Sequence, residues 1–133
     1  MSKVKKDVII VGPTKEGISE MKIIIHLKNR TSDVVNNIFI SEKIPRLGEL
    51  IKESYLGTLE PSKILIHEKR GTIVKWELPS LEPFEERIIT YRIKSKLSIV
   101  GGIRLPPTRV KFDTKKGRER IIFSNKCEIK ITH

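Results

Sequence analysis

The segment from Trp76 to Ile93, WELPSLEPFEERIITYRI, constrains the fold more than any other part of the chain. Residues that alternate between apolar and polar line opposite faces of a β-strand. This alternation occurs on both sides of a polar corner, with Val74, Trp76 and Leu78 before it and Ile89, Tyr91 and Ile93 after it. The segment is therefore predicted to be a strand that ends at Leu78, a tight corner, and a second strand.

The corner contains Pro79, Pro83 and the adjacent Glu85 and Glu86. Neighbouring residues of a strand point to opposite sides, so these two carboxylates are wrongly arranged for a paired acid and base. We predict that they cap the turn. The only tryptophan of the chain stands before the corner and a tyrosine after it, which is typical of the core of a two-sheet sandwich.

Short alternating runs recur along the chain at roughly 8–12 residue spacing, which is typical of a sandwich or barrel. The chain has no alanine, the best helix former, and is rich in β-branched residues. We predict an all-β, immunoglobulin-like sandwich of two antiparallel sheets, with eight or nine strands in one domain, residues 1–133. Besides the two corner strands, runs are found at Asp7–Val11, Glu20–Lys28, Val34–Ser41, Lys63–His67, Thr72–Leu78, Leu97–Val100, Ile103–Leu105, Arg109–Phe112, Arg120–Phe123 and Cys127–Thr132.

Two segments interrupt this pattern. From Arg46 to Gly57 the residues Leu47, Leu50 and Ile51 have helical spacing, so this segment is either one short helix or an irregular loop. The Gly101-Gly102 pair precedes a strand and not a helix, so it does not form a loop that cradles phosphate. It is predicted to mark a bulge or a crossing between the sheets.

Two stretches carry a family resemblance. NRTSDVVNNIFISEKIP (Asn29 to Pro45), followed by IVKWELPSLEPFEERIITYRI (Ile73 to Ile93), resembles the immunoglobulin-like repeat domains common in archaeal and bacterial proteins, including CARDB-type modules. In that family Leu-x-Pro-Gly-Glu precedes a strand with a central aromatic residue, and the matching positions are Leu81, Pro83, Glu85 and Tyr91. Phe84 replaces the family's glycine, which predicts a different turn, because phenylalanine disfavours positive φ.

The ending, IVGGIRLPPTRVKF and then IIFSN, also resembles the C-terminal half of the beta subunit of the translocon-associated protein complex. Both resemblances imply an immunoglobulin-like fold and a role in binding or spacing without enzymatic activity. Members of the repeat family are often on the cell surface. Here the N-terminal basic residues precede only four apolar ones, too few for a signal peptide. A complete chain is therefore expected to be cytoplasmic, whereas a fragment of a longer protein could belong to the cell surface.

Residues that could perform chemistry are few and scattered. His26, His67 and His133 are far apart and none has metal-ligand spacing to a cysteine or carboxylate cluster, so surface histidines are expected. The only cysteine, Cys127, lies in an alternating run and is expected to be a small buried residue. No nucleophile with a base, metal set or cofactor loop can be assembled, so we predict a protein that is not an enzyme and holds no cofactor.

The triplet Asn29-Arg30-Thr31 fits a glycosylation acceptor, which matters only for an exported domain. A chance match is the alternative interpretation, because the triplet is common.

Charge distribution is the feature that stands out. The net charge is +11. From Met1 to Glu86 there are 14 basic and 13 acidic residues, whereas from Arg87 to Arg120 there are 11 basic and 2 acidic. If the strands of this second block lie in one sheet, they form a continuous basic face that attracts anions. The candidate residues are Arg92, Lys94, Lys96, Arg104, Arg109, Lys111, Lys115, Lys116, Arg118 and Arg120.

Four interpretations of this charge remain open, and one of them is contact with an anionic lipid. Outward lysines protect sheet edges and keep a protein soluble, whatever its function. A basic face or strand edge could dock an acidic protein partner or a neighbouring domain, which we favour as the function. A nucleic-acid binder would contact phosphates only, because Tyr91 and Phe112 alternate with the basic residues and are predicted to face inward. No run is long enough to span a membrane, and the oligomeric state is not predicted.

Overall fold

The computed structural model describes residues 3–55, 59–97 and 101–130, with the side chains of residues 12–15 left out. Three predictions fall partly or wholly outside the described residues. Most of the predicted strand at Leu97–Val100 lies in residues 98–100, and the end of the predicted strand at Cys127–Thr132 lies in residues 131–132. His133 also lies outside the described residues. The described chain forms antiparallel sheets that pack as a β-sandwich, which confirms the predicted fold class.

Eleven strands are described, more than the eight or nine predicted. They are β1 (Lys3–Lys15), β2 (Ile18–Lys28), β3 (Val35–Ile44), β4 (Glu49–Leu50), β5 (Lys63–His67), β6 (Gly71–Leu81), β7 (Glu86–Ser95), β8 (Gly102–Leu105), β9 (Arg109–Asp113), β10 (Glu119–Phe123) and β11 (Cys127–Lys130).

The strands form three sheets. Sheet A has the order β1-β2-β7-β4, sheet B the order β10-β9-β3-β6-β5, and the small sheet C pairs β11 with β8. All the strand pairs are antiparallel. The first, second and seventh strands thus lie together in one sheet while the β9-β10 hairpin pairs with β3 in the other, an arrangement that resembles the immunoglobulin division of strands.

The core lies between sheets A and B and follows the alternation of the sequence. In β2 every second residue from Met21 to Leu27 is buried, and in β7 the same holds for Ile89, Tyr91 and Ile93. Trp76 and Tyr91 are fully buried, with ring centroids 5.8 Å apart and planes tilted by 36°. The Trp76 indole donates to the Leu59 carbonyl at 3.1 Å. The predicted aromatic core is confirmed.

The corner differs from the prediction. β6 continues through Pro79 to Leu81, where the sequence predicted an end at Leu78. Two features permit the proline. β5 pairs with β6 only as far as Lys75, and in the described residues no strand pairs with β6 on that side beyond it. On the other side the ladder with β3 keeps its register but lacks the pair between Pro79 and Asn37, which has φ +52°. Proline is tolerated at edges and bulges, because its missing N–H breaks no ladder there.

The predicted change of turn at Phe84 is wrong. Phe84 has φ +60°, the left-handed conformation that glycine favours. The turn is held by Glu85, whose backbone N–H donates to the Glu82 carbonyl at 3.0 Å and whose carboxylate accepts from the Glu82 N–H at 2.9 Å. These two bonds fix the loop in spite of the phenylalanine, and they agree with the predicted capping role of Glu85.

Phe84→Gly is therefore expected to stabilise the protein by about 0.5–1 kcal/mol. Relief of the left-handed strain exceeds the entropy that glycine loses on folding, and the Phe84 side chain is 63% exposed, so little packing is lost. Urea unfolding of the two proteins measures the difference. A less stable glycine variant would show that the exposed ring makes stabilising contacts.

The two segments that interrupt the alternation, the described part of residues 46–57 and the Gly101-Gly102 pair, form turns, a short strand and a change of sheet. In the described part of residues 46–57 the chain forms β4 and turns, not the helix that was one of the two alternatives. Gly102 opens β8, which pairs with β11, so the glycines lie where the chain leaves sheet A for sheet C. A Cβ atom at Gly102 would lie 2.2 Å from the Ile129 carbonyl oxygen, so the close pairing of β8 and β11 needs this glycine.

Candidate docking surface

The strand order divides the ten predicted basic residues. Arg92 and Lys94 lie on β7 in sheet A, whereas Arg109 and Lys111 lie on β9 in sheet B. Arg104 lies on β8 in sheet C, and the other candidates lie in or beside loops and at the start of β10. The condition for one continuous basic face, that these strands share a sheet, is not met.

Five of these ten residues have carboxylate partners. The partners neutralise much of the local charge, although exposed pairs of this kind contribute little to stability. The N–O distances are 3.3 Å for Arg92–Glu20, 3.8 Å for Lys94–Glu49, 3.2 Å for Arg104–Glu128, 3.3 Å for Lys111–Glu119 and 3.2 Å for Lys115–Asp33.

A different set of cations comes together on the outer face of sheet B. The cross-strand register runs from Phe123 to Arg109, Ser41, Lys75 and Lys63, one residue from each strand. Lys43 lies two residues after Ser41, so it points to the same face in the next row. We call Lys43, Lys63, Lys75 and Arg109 the cationic strip. The strip spans four neighbouring strands about 4.8 Å apart, so it crosses about 14 Å of the sheet.

The strip residues are exposed and none takes part in an ion pair within residues 3–55, 59–97 and 101–130. The carboxylates of this face, Glu77, Asp113 and Glu119, occupy other rows. Glu77 in the row next to Lys75 screens one flank of the strip, whereas Lys43 on the other flank adds to its positive field.

Only Arg109 of the strip was among the predicted candidates. Lys43, Lys63 and Lys75 lie in the first 86 residues, where basic and acidic residues nearly balance. A charge count along the chain misses them because the fold, not the sequence, separates them from those acids. The sequence did contain a signal, because each of these lysines occupies an outward-facing position in the alternation of its own strand.

Exposed apolar side chains lie beside the strip. Phe123 is 60% exposed at the β10 end of the row that contains Arg109, Lys75 and Lys63. Phe39 is 45% exposed in the adjacent row. The Lys111 ammonium lies 5.8 Å from the Phe39 ring centroid. Tyr91 and Phe112 are buried, as predicted. Sheet B therefore presents cations and aromatic rings together, a composition found at protein interfaces and at nucleic-acid platforms.

A second polar cluster lies inside the sandwich. Lys6 of β1 and Glu42 of β3 are fully buried, with 2.7 Å between Nζ and Oε1. Glu42 also accepts from the Tyr91 hydroxyl at 2.8 Å and from the Thr108 hydroxyl at 2.9 Å, while Lys6 Nζ donates to the Pro106 carbonyl at 2.8 Å. Three strands and the segment before β9 are thereby tied together.

This cluster was not predicted, although the sequence contains a signal for it. Lys6 stands between Val4 and Val8 at an inward position, and Glu42 stands between Ile40 and Ile44. A charge at an apolar position of two strands predicts a buried pair. Burial raises the pKa of Glu42, while the Lys6 ammonium and the hydrogen bonds oppose the rise. Because the pair is sealed from solvent, it has no access to a substrate.

Burial and the nearby Glu42 carboxylate raise the pKa of Tyr91 well above its ordinary value. A pKa raised on folding gives stability that is complete below the unfolded value of about 10 and lost as pH rises through the folded value. In a Tyr55→Phe variant, which leaves Tyr91 as the only tyrosine, phenolate absorbance is expected to appear only with alkaline unfolding. A titration near pH 10 in the folded protein would contradict the buried hydrogen bond.

The other sequence candidates have structural surroundings. His26 Nδ1 lies 3.4 Å from Glu86, and His67 Nδ1 accepts from the Lys69 and Arg70 N–H groups at 3.2 Å in the β5-β6 turn. Cys127 is partly buried, where desolvation raises its pKa, and its thiol donates to the Lys6 carbonyl at 3.2 Å. No group of three metal-ligating side chains occurs in the part of the chain that the structure describes.

Asn29 is not available as a glycosylation acceptor in the fold. Its side chain is fully buried, and Nδ2 donates to the carbonyls of Asp33 at 2.8 Å and Glu82 at 3.0 Å. The oxygen of the same side-chain amide, Oδ1, accepts hydrogen bonds from the backbone N–H and the hydroxyl of Thr31. The triplet therefore forms a turn that anchors the end of β2 to the β6-β7 corner.

Comparison with known proteins identifies the fold. No family model matches the chain, and no curated protein matches it. Among solved structures, a GH20 exo β-N-acetylglucosaminidase from Vibrio harveyi aligns over 93% of this chain and 18% of its own, at 11% identity and a TM-score of 0.55. The major pilin SpaD of Corynebacterium diphtheriae aligns over 96% of this chain and 35% of its own, at 10% identity and a TM-score of 0.58. The chain is thus similar to a β-sandwich part of much longer proteins.

Across residues 3–55, 59–97 and 101–130, the structure contains no helix that has the length and apolar character to cross a membrane.

Proposed function

We propose that this chain is a noncatalytic interaction module that docks an acidic protein partner, or an acidic neighbouring domain, on the outer face of sheet B. The observation that supports the proposal is the cationic strip: four exposed cations in two adjacent rows with no ion-pair partner in the described chain. Exposed Leu65 and Ile121 supply apolar contacts on the same face. Large apolar groups and arginine are typical of protein interfaces, and the lysines add electrostatic complementarity to an acidic partner.

The test compares two variants of equal net charge. One reverses the strip through Lys43→Glu, Lys63→Glu, Lys75→Glu and Arg109→Glu. The matched control reverses four cations outside the strip, also without ion pairs in the described chain, through Lys96→Glu, Lys116→Glu, Arg118→Glu and Arg120→Glu. Binding of fluorescent polyglutamate is measured over a salt series, beside a single-stranded oligonucleotide.

Affinity for polyglutamate at low salt is expected to fall about tenfold or more in the strip variant and less than about threefold in the control. The steep salt dependence should be reduced only in the strip variant. Equal losses in the two variants would mean that net charge alone attracts polyglutamate, and the strip would then not be a site.

A nucleic-acid binder is the second candidate, and one observation favours it. Phe39 and Phe123 are exposed on the same face as Arg109, so a single strand could stack bases on the rings and place phosphates beside the cations. This candidate predicts tighter binding of the oligonucleotide than of polyglutamate, with a loss on Phe123→Ala. Oligonucleotide binding unchanged by Phe123→Ala would count against stacking.

A third candidate is an accessory spacing or adhesion domain of a larger surface protein, as the CARDB-type resemblance implies. It is supported by the small share of the longer proteins that the chain spans, 18% of a glycosidase and 35% of a major pilin. A pure spacer should bind neither probe, in either variant.

A further inference from the structure

The β5 strand (Lys63–His67) is an open edge of sheet B. It pairs with β6 on one side and has no strand on the other in the described sheet. In an antiparallel strand, alternate residues direct their N–H and C=O groups away from the neighbour, so half of the backbone groups of β5 are free to pair. Three consecutive apolar residues form this edge, and Ile66 is 78% exposed.

A groove of about 900 Å³ lies beside this edge. Ile64 and Ile66 line it from β5, because they stand opposite Val74 and Thr72 and so point to the inner side of sheet B. Leu50, Ile51 and Tyr55 line the facing wall, which belongs to β4 and the turn after it. Arg46, Lys52, Lys94 and three glutamates also line the groove beside these apolar residues. A strand added to β5 would place every second side chain in this groove.

The opposite side of such a strand would meet the cationic strip. Lys63 is the strip residue on β5, and Lys75 and Arg109 follow it in the same row across the sheet. An incoming strand in register therefore places one outward side chain beside Lys63, where a carboxylate would pair with it. The two sides of the edge demand different residues, apolar toward the groove and acidic toward the strip.

We propose that β5 accepts an extended segment of an acidic partner protein as a sixth strand of sheet B. Backbone hydrogen bonds to β5 give the segment its affinity, and the alternation of apolar and acidic side chains gives it specificity. The proposal rests on the proposed function, since it states how the acidic partner attaches. It adds a binding edge that the strip alone does not require.

The probe is a synthetic decapeptide in which valine alternates with glutamate, compared with a peptide of the same composition that has all valines before all glutamates. Both carry the same charge, but only the first presents opposite faces as a strand. The edge variant is Ile66→Lys, which adds a charge at the mouth of the groove. Its matched control is Ile9→Lys on β1, an edge strand of sheet A outside the proposed docking surface, where the apolar residue is also exposed.

The alternating peptide is expected to bind at least about tenfold tighter than the block peptide, and Ile66→Lys is expected to remove that preference while Ile9→Lys keeps it. Equal binding of the two peptides, or a preference that Ile66→Lys leaves intact, overturns strand addition. The polyglutamate assay above then still decides the docking function on its own. If the protein forms concentration-dependent dimers without peptide and Ile66→Lys abolishes them, β5 pairs with a second copy of the chain. That result also overturns the proposal.

Discussion

Lys6→Met is expected to lower the free energy of unfolding by about 3–5 kcal/mol. The substitution leaves the Glu42 carboxyl fully buried without its cation. Removing one member of a buried ion pair is costly because the remaining charge is then uncompensated. Glu42→Leu is expected to cost a similar amount, because the Lys6 ammonium then keeps only the Pro106 carbonyl as a partner within the described chain. Each single change also breaks the link between β1 and β3.

The double variant Lys6→Met, Glu42→Leu is expected to recover most of this loss. Two apolar side chains of similar volume need no desolvation of charge, so replacement of a whole buried pair is often neutral or stabilising. The Tyr91 and Thr108 hydroxyls, which lose their acceptor, keep the recovery incomplete. The four proteins form a double-mutant cycle, measured by urea unfolding, that isolates the coupling energy.

Lys5→Met is the control for this cycle, because Lys5 is the exposed neighbour on the same strand and makes only a 3.8 Å surface contact with Asp7. It is expected to change stability by less than about 0.5 kcal/mol. Additive single effects, with no recovery in the double variant, would contradict the description of Lys6 and Glu42 as one coupled buried unit.

Asn29→Ala is the second large effect, an expected loss of about 2–4 kcal/mol. The amide satisfies the carbonyls of Asp33, Leu81 and Glu82 and accepts two hydrogen bonds from Thr31, all around one buried position. Alanine leaves buried carbonyl groups without donors, and each such group costs about 1–3 kcal/mol. The loss should appear in thermal and urea unfolding alike.

Asn29→Asp separates the donor from the acceptor role, since the carboxylate keeps the bonds from Thr31 but cannot donate to the three carbonyls. It is expected to be as destabilising as alanine or more so. Asn36→Ala on the exposed surface of β3 serves as the control and should stay within about 0.5 kcal/mol. A neutral Asn29→Ala would show that water replaces the amide at this corner.

The sequence was sufficient for the fold because the alternation in β2 and β7 reports directly which residues are buried. Met21 to Leu27, and Ile89 to Ile93, point inward as the period of two requires. The local geometry of the corner was less accessible. Pro79 and Phe84 occupy conformations that their intrinsic preferences disfavour, since an open edge and the Glu82–Glu85 hydrogen bonds outweigh those preferences.

The candidate surface was harder to predict than the fold, because it depends on strand order. Arg92 and Arg109 are only 17 positions apart in the sequence, yet they lie in different sheets. Lys43 and Arg109 are much further apart, yet β3 and β9 are neighbours. Pairing between distant strands is determined by tertiary packing, which the alternation within each strand does not encode. The charge-rich block from Arg87 to Arg120 was therefore a real feature of the sequence that did not correspond to one face.

The buried pair and the cationic strip have complementary consequences. Lys6 and Glu42 neutralise each other inside the sandwich, so they stabilise one arrangement of the strands and present no charge outside. Lys43, on the same strand as Glu42 and adjacent to it, points outward and stays unpaired in the described chain. A single strand thus supplies both the internal anchor and part of the proposed docking surface, which connects the stability of β3 to binding.

The most direct test of the docking surface is amide NMR of the isotopically labelled protein titrated with polyglutamate at low salt. Docking on the strip should concentrate the shift changes on the outer face of sheet B, at Lys43, Lys63, Lys75 and Arg109 and their neighbours, and added salt should remove them. Changes concentrated instead on sheet A around Arg92 and Lys94, or spread evenly over all surface lysines, would contradict it.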